Sequence, residues 1–143
     1  MSANVSKPAV EVVCASIGEG ARDSGCKLGP GALIDSGILD RLRGTDRPVE
    51  RGAHVASRPH AFPSRLATIA GFSEELATQV RDVVAIGRVP LVLGGDHSCA
   101  IGTWSGVAQA VQERGLDTLG LIWVDAHLDA HTFQTSPSMA PHG

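Results

Sequence analysis

Two stretches decide how this chain is read: residues 89–98, VPLVLGGDHS, and residues 119–129, LGLIWVDAHLD. Each is a short apolar run followed at once by acidic and imidazole side chains. A brief, continuously apolar run is what a parallel strand buried on both faces looks like. Residues 90–93 and 119–124 are therefore predicted strands. The clusters Asp96-His97 and Asp125-Ala126-His127-Leu128-Asp129 fall directly beyond their ends. In open α/β sheets ligands bind beyond the carboxyl ends of the strands, so both clusters are expected at one sheet edge.

Outward from these stretches the chain alternates strands and helices. Residues 10–17, VEVVCASI, form another β-branched run closed by Gly18, and 18–29 is a loop with glycines at 18, 20, 25 and 29. Pro30 opens a helix where a missing N–H costs nothing. Leu33, Ile34, Ile38, Leu39 and Leu42 then recur at helical steps as far as Gly44. Residues 45–65 carry a weaker pattern: 49–55 fit a short strand, and Pro59 and Pro63 place the remainder in a loop. Ser73, followed by Glu74 and Glu75, reads as the N-cap of a second helix. Leu76, Val80, Val83, Val84 and Ile86 form its apolar face, and Gly87 ends it. A third helix begins near Ser98, carries Ile101, Trp104, Val107, Ala108 and Val111, and stops at Gly115. This alternation predicts an α/β fold with a mainly parallel sheet covered on both faces. Residues 129–143 have no apolar periodicity and read as a loop.

Composition narrows the function classes. Of 143 residues 43% are apolar and 19% charged, which excludes a disordered tail. A formal charge of −3 and the scarcity of aromatics offer nucleic acid neither a basic face nor a stacking platform. No apolar run reaches the length of a membrane span, and the N-terminus lacks the layout of a secretory signal. Cys14, Cys26 and Cys99 are odd in number and show no CxxC spacing, which fits a reducing cytoplasm rather than a disulfide framework. Cys99 reads as a small buried hydrophobe near a site, not as a nucleophile.

If the chain stays extended past Val124, residues 125, 127 and 129 point to one side, because strand side chains alternate. That gathers two carboxylates and an imidazole, and His97 joins them from the neighbouring strand end. A donor set rich in oxygen and without thiolate suits Mn²⁺ better than a structural Zn²⁺. One carboxylate can bridge two ions, and water between them is acidified to hydroxide near neutral pH. Taken singly, His97 also fits a helix start, and DAHLD fits a solvated turn. Gly94-Gly95 also allows a phosphate-cradling turn, but the GxGxxG pattern is absent and Asp96 would repel a phosphate.

Residues 92–106, VLGGDHSCAIGTWSG, and 119–132, LGLIWVDAHLDAHT, followed by a Ser-rich loop ending in His142-Gly143, resemble the ureohydrolase (arginase/agmatinase) family, closest to arginase. Residues 18–42, GEGARDSGCKLGPGALIDSGILDRL, resemble the family's glycine-rich loop, GP step and helix. The resemblance implies a three-layer αβα, arginase-like fold with a binuclear manganese site. It implies that His97, Asp125 and Asp129 hold one Mn²⁺, and that Asp125 and His127 hold the other, with Asp125 bridging. It further places His142 and Asp129 in the catalytic set, His142 as a proton shuttle, and makes Asp96 a partner that orients a ligand. Substrate-binding positions fall on His131, Ser136 and Ser138, where a solvated loop is the competing reading of the two serines. The implied reaction is attack on a guanidinium carbon, releasing urea and an amine.

Two departures shape the expectation. His131 stands where arginases carry Asn, and Met139-Ala140 where they carry Gly-Asn. The family's later DxDxxDP motif has no match in these 143 residues. Residues 1–143 are accordingly read as the N-terminal part of one arginase-like domain, its sheet incomplete and the chain alone inactive. The complete protein is expected to act on a small guanidino substrate, most simply L-arginine giving L-ornithine, as a homo-oligomer. Agmatinase, guanidinobutyrase or formiminoglutamase activity is the alternative within hydrolases. A non-catalytic metal-binding half-fold is the alternative outside them.

Overall fold

Strand β1 (Val10–Ser16) lies between β2 (Val49–Ala56) and β3 (Val89–Gly94), all parallel, in the order β2-β1-β3. The computed structural model describes residues 7–125. A strand with neighbours on both sides and helices on both faces has no solvent side, which is why the run at 10–17 is apolar without alternation. Val12, Val13, Ala15 and Ile17 are fully buried. Side chains alternate along β1. Val13, Ala15 and Ile17 meet Phe72, Leu76, Val80 and Val83 of helix α3 (Arg65–Ala85). Val12 and Cys14 point to the opposite face, which helix α1 (Gly29–Asp35) covers. Right-handed crossovers require this: the chain leaves β1 for β2 in one direction and returns across it to β3 in the other.

Helix α3 and helix α4 (Cys99–Glu113) share one face and cross closely. The contact is made by small residues. A Cβ on Gly102 would stand 2.6 Å from the Ser73 carbonyl oxygen, and one on Gly106 would stand 2.4 Å from that of Ala77. Both helices end alike. Gly87 (φ +80°) and Gly115 (φ +72°) follow their caps in the left-handed region. The N–H groups of Arg88 and Leu116 then donate back to the Val83 and Val111 carbonyls, each at 3.2 Å. This is the Schellman arrangement, which glycine allows without steric cost.

The structure departs from the sequence reading at three places. The predicted first helix is two: α1 ends at Asp35, capped by Ser36, and α2 (Ile38–Arg43) starts after Gly37, whose φ is +80°. Ser36 assists the break, its hydroxyl donating to the Leu33 carbonyl at 2.8 Å. Ser73 does not cap the second helix. That helix begins nine residues earlier than expected, at Arg65, where Ser64 Oγ accepts from the Ala67 N–H at 3.1 Å. Ser73 is buried inside α3, and Gly71 is accommodated there because the Phe62 ring lies where its Cβ would be. Finally, residues 116–125 form no strand. β3 pairs only with β1 in the described residues, and Leu121, Ile122 and Val124 are exposed. The run has the composition of a buried strand, but nothing in the described residues pairs with it, and an extended segment without a ladder is not a strand.

Two substitutions test this packing. Leu76→Ala should lower unfolding free energy by about 2–5 kcal/mol. Gly106→Val, which drives a branched side chain into the Ala77 carbonyl, should lower it by about 1–3 kcal/mol or more. Urea unfolding followed by circular dichroism measures both. A Gly106→Val variant as stable as the parent would mean that the α3–α4 crossing is not tight.

Candidate metal centre

The site grows from the last residues of β3. Beyond Gly94 the ladder with β1 continues: Gly95 N–H donates to Ala15 O at 2.9 Å and Asp96 N–H to Ile17 O at 3.0 Å. This continuation needs glycine. A Cβ on Gly95 would stand 2.0 Å from Ile17 O, and one on Gly94 would stand 2.4 Å from Cys99 Sγ. The Gly-Gly pair thus serves close backbone approach. It releases the chain at the sheet's carboxyl edge, where Asp96 turns inward and His97 outward.

Asp96 is buried, with 7% of its surface exposed. Its Oδ1 accepts from Ser98 N–H at 2.8 Å and from the Ser98 hydroxyl at 2.5 Å. Its Oδ2 accepts from Gly20 N–H at 2.6 Å. A buried carboxylate needs such donors to offset its lost hydration.

His97 is half-exposed and stacks on Trp123, ring centroids 5.0 Å apart and planes 18° apart. Its Nδ1 lies 3.7 Å from Asp125 Oδ2. The Trp123 indole N–H donates to that same oxygen at 3.4 Å. The imidazole and carboxylate expected from the two strand-end motifs therefore meet. Beside them a cavity of about 460 Å³ is lined by His97, Ser98, Ala100, Ile101, Trp104 and Trp123. Trp123 and Trp104 read in the sequence only as apolar positions. The two-residue offset of Trp123 from Asp125 was the signal that these side chains lie on one side.

Of the other expected site residues, His127, Asp129, His131, Ser136, Ser138 and His142 lie outside the described residues. Among the described residues no group of three or more metal-ligating side chains forms. The pair that does form suits a divalent cation chemically: an imidazole nitrogen and carboxylate oxygens, with no thiolate. Cys99, which follows this turn, has its thiol pushed up by burial and then by the Asp96 carboxylate. It carries no activated thiolate.

The family profile "Arginase family" matches residues 9–143. The chain belongs to the arginase family. It is 39% identical over 127 residues to the arginase of Bacillus caldovelox, covering 83% of this chain and 41% of that one. It is 41% identical over 130 residues to the arginase of Brevibacillus brevis, covering 87% and 42%. With human arginase-1 it shares 35% over 140 residues, covering 94% and 42%. The crystal structure of Bacillus subtilis arginase superposes with a TM-score of 0.76 at 34% identity, covering 92% of this chain and 42% of that one. Bacillus cereus arginase gives 0.76 at 36% identity, with 92% and 43% covered. The three-layer arginase fold is thus shared in part: this chain spans about two fifths of the length of the relatives it matches.

The raised Cys99 thiol predicts slow alkylation. At neutral pH, Cys99 in the folded chain should react with a thiol reagent well below the rate of the urea-unfolded chain, and the rate should climb as pH rises. Peptide mapping after timed labelling reads this, and rapid neutral-pH labelling of folded Cys99 would contradict it.

Proposed function

We propose that the protein containing this chain hydrolyses a guanidino compound with manganese, L-arginine being the substrate and urea and L-ornithine the products. The observation that carries the reading is the meeting of His97 and Asp125, each a member of the polar cluster that follows an apolar run. Family membership supports the hydrolase class, and the relatives named above are arginases.

In this reading His97, Asp125 and Asp129 hold one Mn²⁺, and Asp125 and His127 hold the other. When bound, the ions acidify water and supply a nucleophile near neutral pH. Asp125, the donor common to both, would contribute negative charge that lowers the mutual repulsion of the cations. The stacking of Trp123 on His97 restricts the ring and excludes water from one of its faces. His142 moves a proton to the departing amine. His131, Ser136 and Ser138 bind the part of the substrate away from the guanidinium. His131 in the place of the family's Asn favours a second reading within the hydrolases, with agmatine, guanidinobutyrate or formiminoglutamate as substrate. Residues 1–143 form the N-terminal part of a single domain whose full-length form is a homo-oligomer. Three free cysteines support a cytoplasmic setting. Among the described residues no helix is long and apolar enough to cross a membrane.

Calorimetry with Mn²⁺ tests the ligand assignment: His97→Ala and Asp125→Ala should each weaken binding by tenfold or more, about the loss of one metal ligand's support. The 143 residues alone should release no urea with added Mn²⁺, because no carboxylates of a DxDxxDP motif are available to complete the two sites. A longer protein carrying that motif should turn over L-arginine in preference to agmatine. Unchanged Mn²⁺ binding in both variants would sink the assignment, and a preference for agmatine would select the second reading.

A further inference from the structure

Strand order β2-β1-β3 creates a reversal between β1 and β3. The chain leaves β1 through loop 18–28 toward α1 on one face. It leaves β3 through the turn 95–98 toward α4 on the other. A crevice opens where neighbouring strands send their connections to opposite faces. One side chain bridges the two connections here. Asp96 accepts from Gly20 N–H with one oxygen and from Ser98 with the other, joining residues 76 apart in sequence. The fit is close on the loop side, since a Cβ on Gly20 would stand 2.7 Å from Asp96 Oδ1 and 3.1 Å from Oδ2. Arg65, the first residue of α3, holds the same loop from outside. Its Nε donates to the Glu19 carbonyl and its Nη2 to that of Ala21, the latter at 3.4 Å.

We propose that Asp96 is a positioning residue that locks loop 18–28 to the His97 turn, so that loop and ligand are ordered together. It acts through the backbone of both segments. The part of this inference that concerns metal rests on the function proposed above; the mechanical coupling does not. Two acceptor oxygens are required, one for each segment. An amide at position 96 offers only one and presents an N–H₂ to the other donor.

Amide hydrogen exchange on the metal-free chain reads the coupling directly. Asp96→Asn should speed exchange about tenfold at residues 18–23 and 96–100, as expected for losing a charge-assisted bond. Gly20→Ala, altered only on the loop side, should speed exchange at 96–100 comparably. Ser98→Ala, which keeps the Ser98 N–H, should leave residues 18–23 near the parent rate. Exchange in the interior of α3, residues 76–83, should not change in any of them. For Asp96→Asn and Gly20→Ala, an effect confined to the altered segment overturns the coupling, and so does a uniform rise that includes α3, which would mark a general loss of stability. Titration with Mn²⁺ alone forms the second arm. Both Asp96→Asn and Gly20→Ala should bind more weakly than the parent. Parent-like binding by both overturns the positioning role. A parent chain that binds no Mn²⁺ counts against the metal reading of His97, and the exchange result then decides the coupling alone.

Discussion

Gly95 approaches β1 so closely that no side chain fits between its Cα and the Ile17 carbonyl. That constraint carries the architecture of the site. It lets the parallel ladder run two bonds past the end of β3, to Ala15 and Ile17. Asp96 is drawn in against β1 and buried, while the next residue is turned out. The same approach sets Cys99 against Gly94, fixing where α4 begins. A glycine pair after a strand is also what a phosphate turn uses, so the pattern alone leaves two readings. Packing against β1 and Cys99 accounts for both glycines without a ligand.

How much was legible in the sequence depended on whether an element's run is apolar throughout. β1 reads clearly because neighbours and helices on both sides bury it and make its run continuously apolar. β3 is an edge strand among the described residues and only partly buried, yet its run is unbroken by charge. β2, the other edge strand, read weakly because charged residues interrupt it and only Val49 and Val55 are buried. The early start of α3 was hidden by a false cap: Ser73-Glu74-Glu75 has the composition of an N-terminus, whereas the true one is Ser64, directly after Pro63. Leu66, Ile69 and Phe72 continue the helical spacing back from Leu76, but Leu66 is exposed and Gly71 interrupts the pattern. What permits glycine there is the Phe62 ring, a tertiary contact that local spacing does not encode.

The segment 116–125 separates two properties that a sequence pattern merges. Branched apolar residues state that a stretch is suited to burial in a sheet; they do not state which strand pairs with it. For β1 and β3 the pairing lies within the described chain. For 119–124 it does not, and the apolar side chains stand exposed. The juxtaposition of His97 and Asp125 was nevertheless legible, because it depends on motif position more than on pairing. Trp123 was legible only in its side, through its two-residue offset from Asp125; an indole in an apolar run carries no mark of stacking on an imidazole from another element.

The energetics indicate what holds Asp125 beside His97 and what would be needed to hold it well. Ring stacking contributes about 0.5–1.5 kcal/mol beyond burial, and the long, exposed hydrogen bond from the Trp123 indole to the Asp125 carboxylate nets about 1 kcal/mol. Ordering the backbone of a segment costs about 1–2 kcal/mol per residue, so two such contacts do not fix ten residues. Metal ligands must be held to within about 0.5 Å to discriminate among ions and orient a nucleophile. A ladder of strand hydrogen bonds on residues 119–124, with their apolar side chains buried, would supply stabilisation on the required scale. The precision of the His97–Asp125 pair is therefore limited by sheet pairing rather than by the two side chains themselves. On the β3 side that requirement is already met, by β1 and by the carboxylate of Asp96.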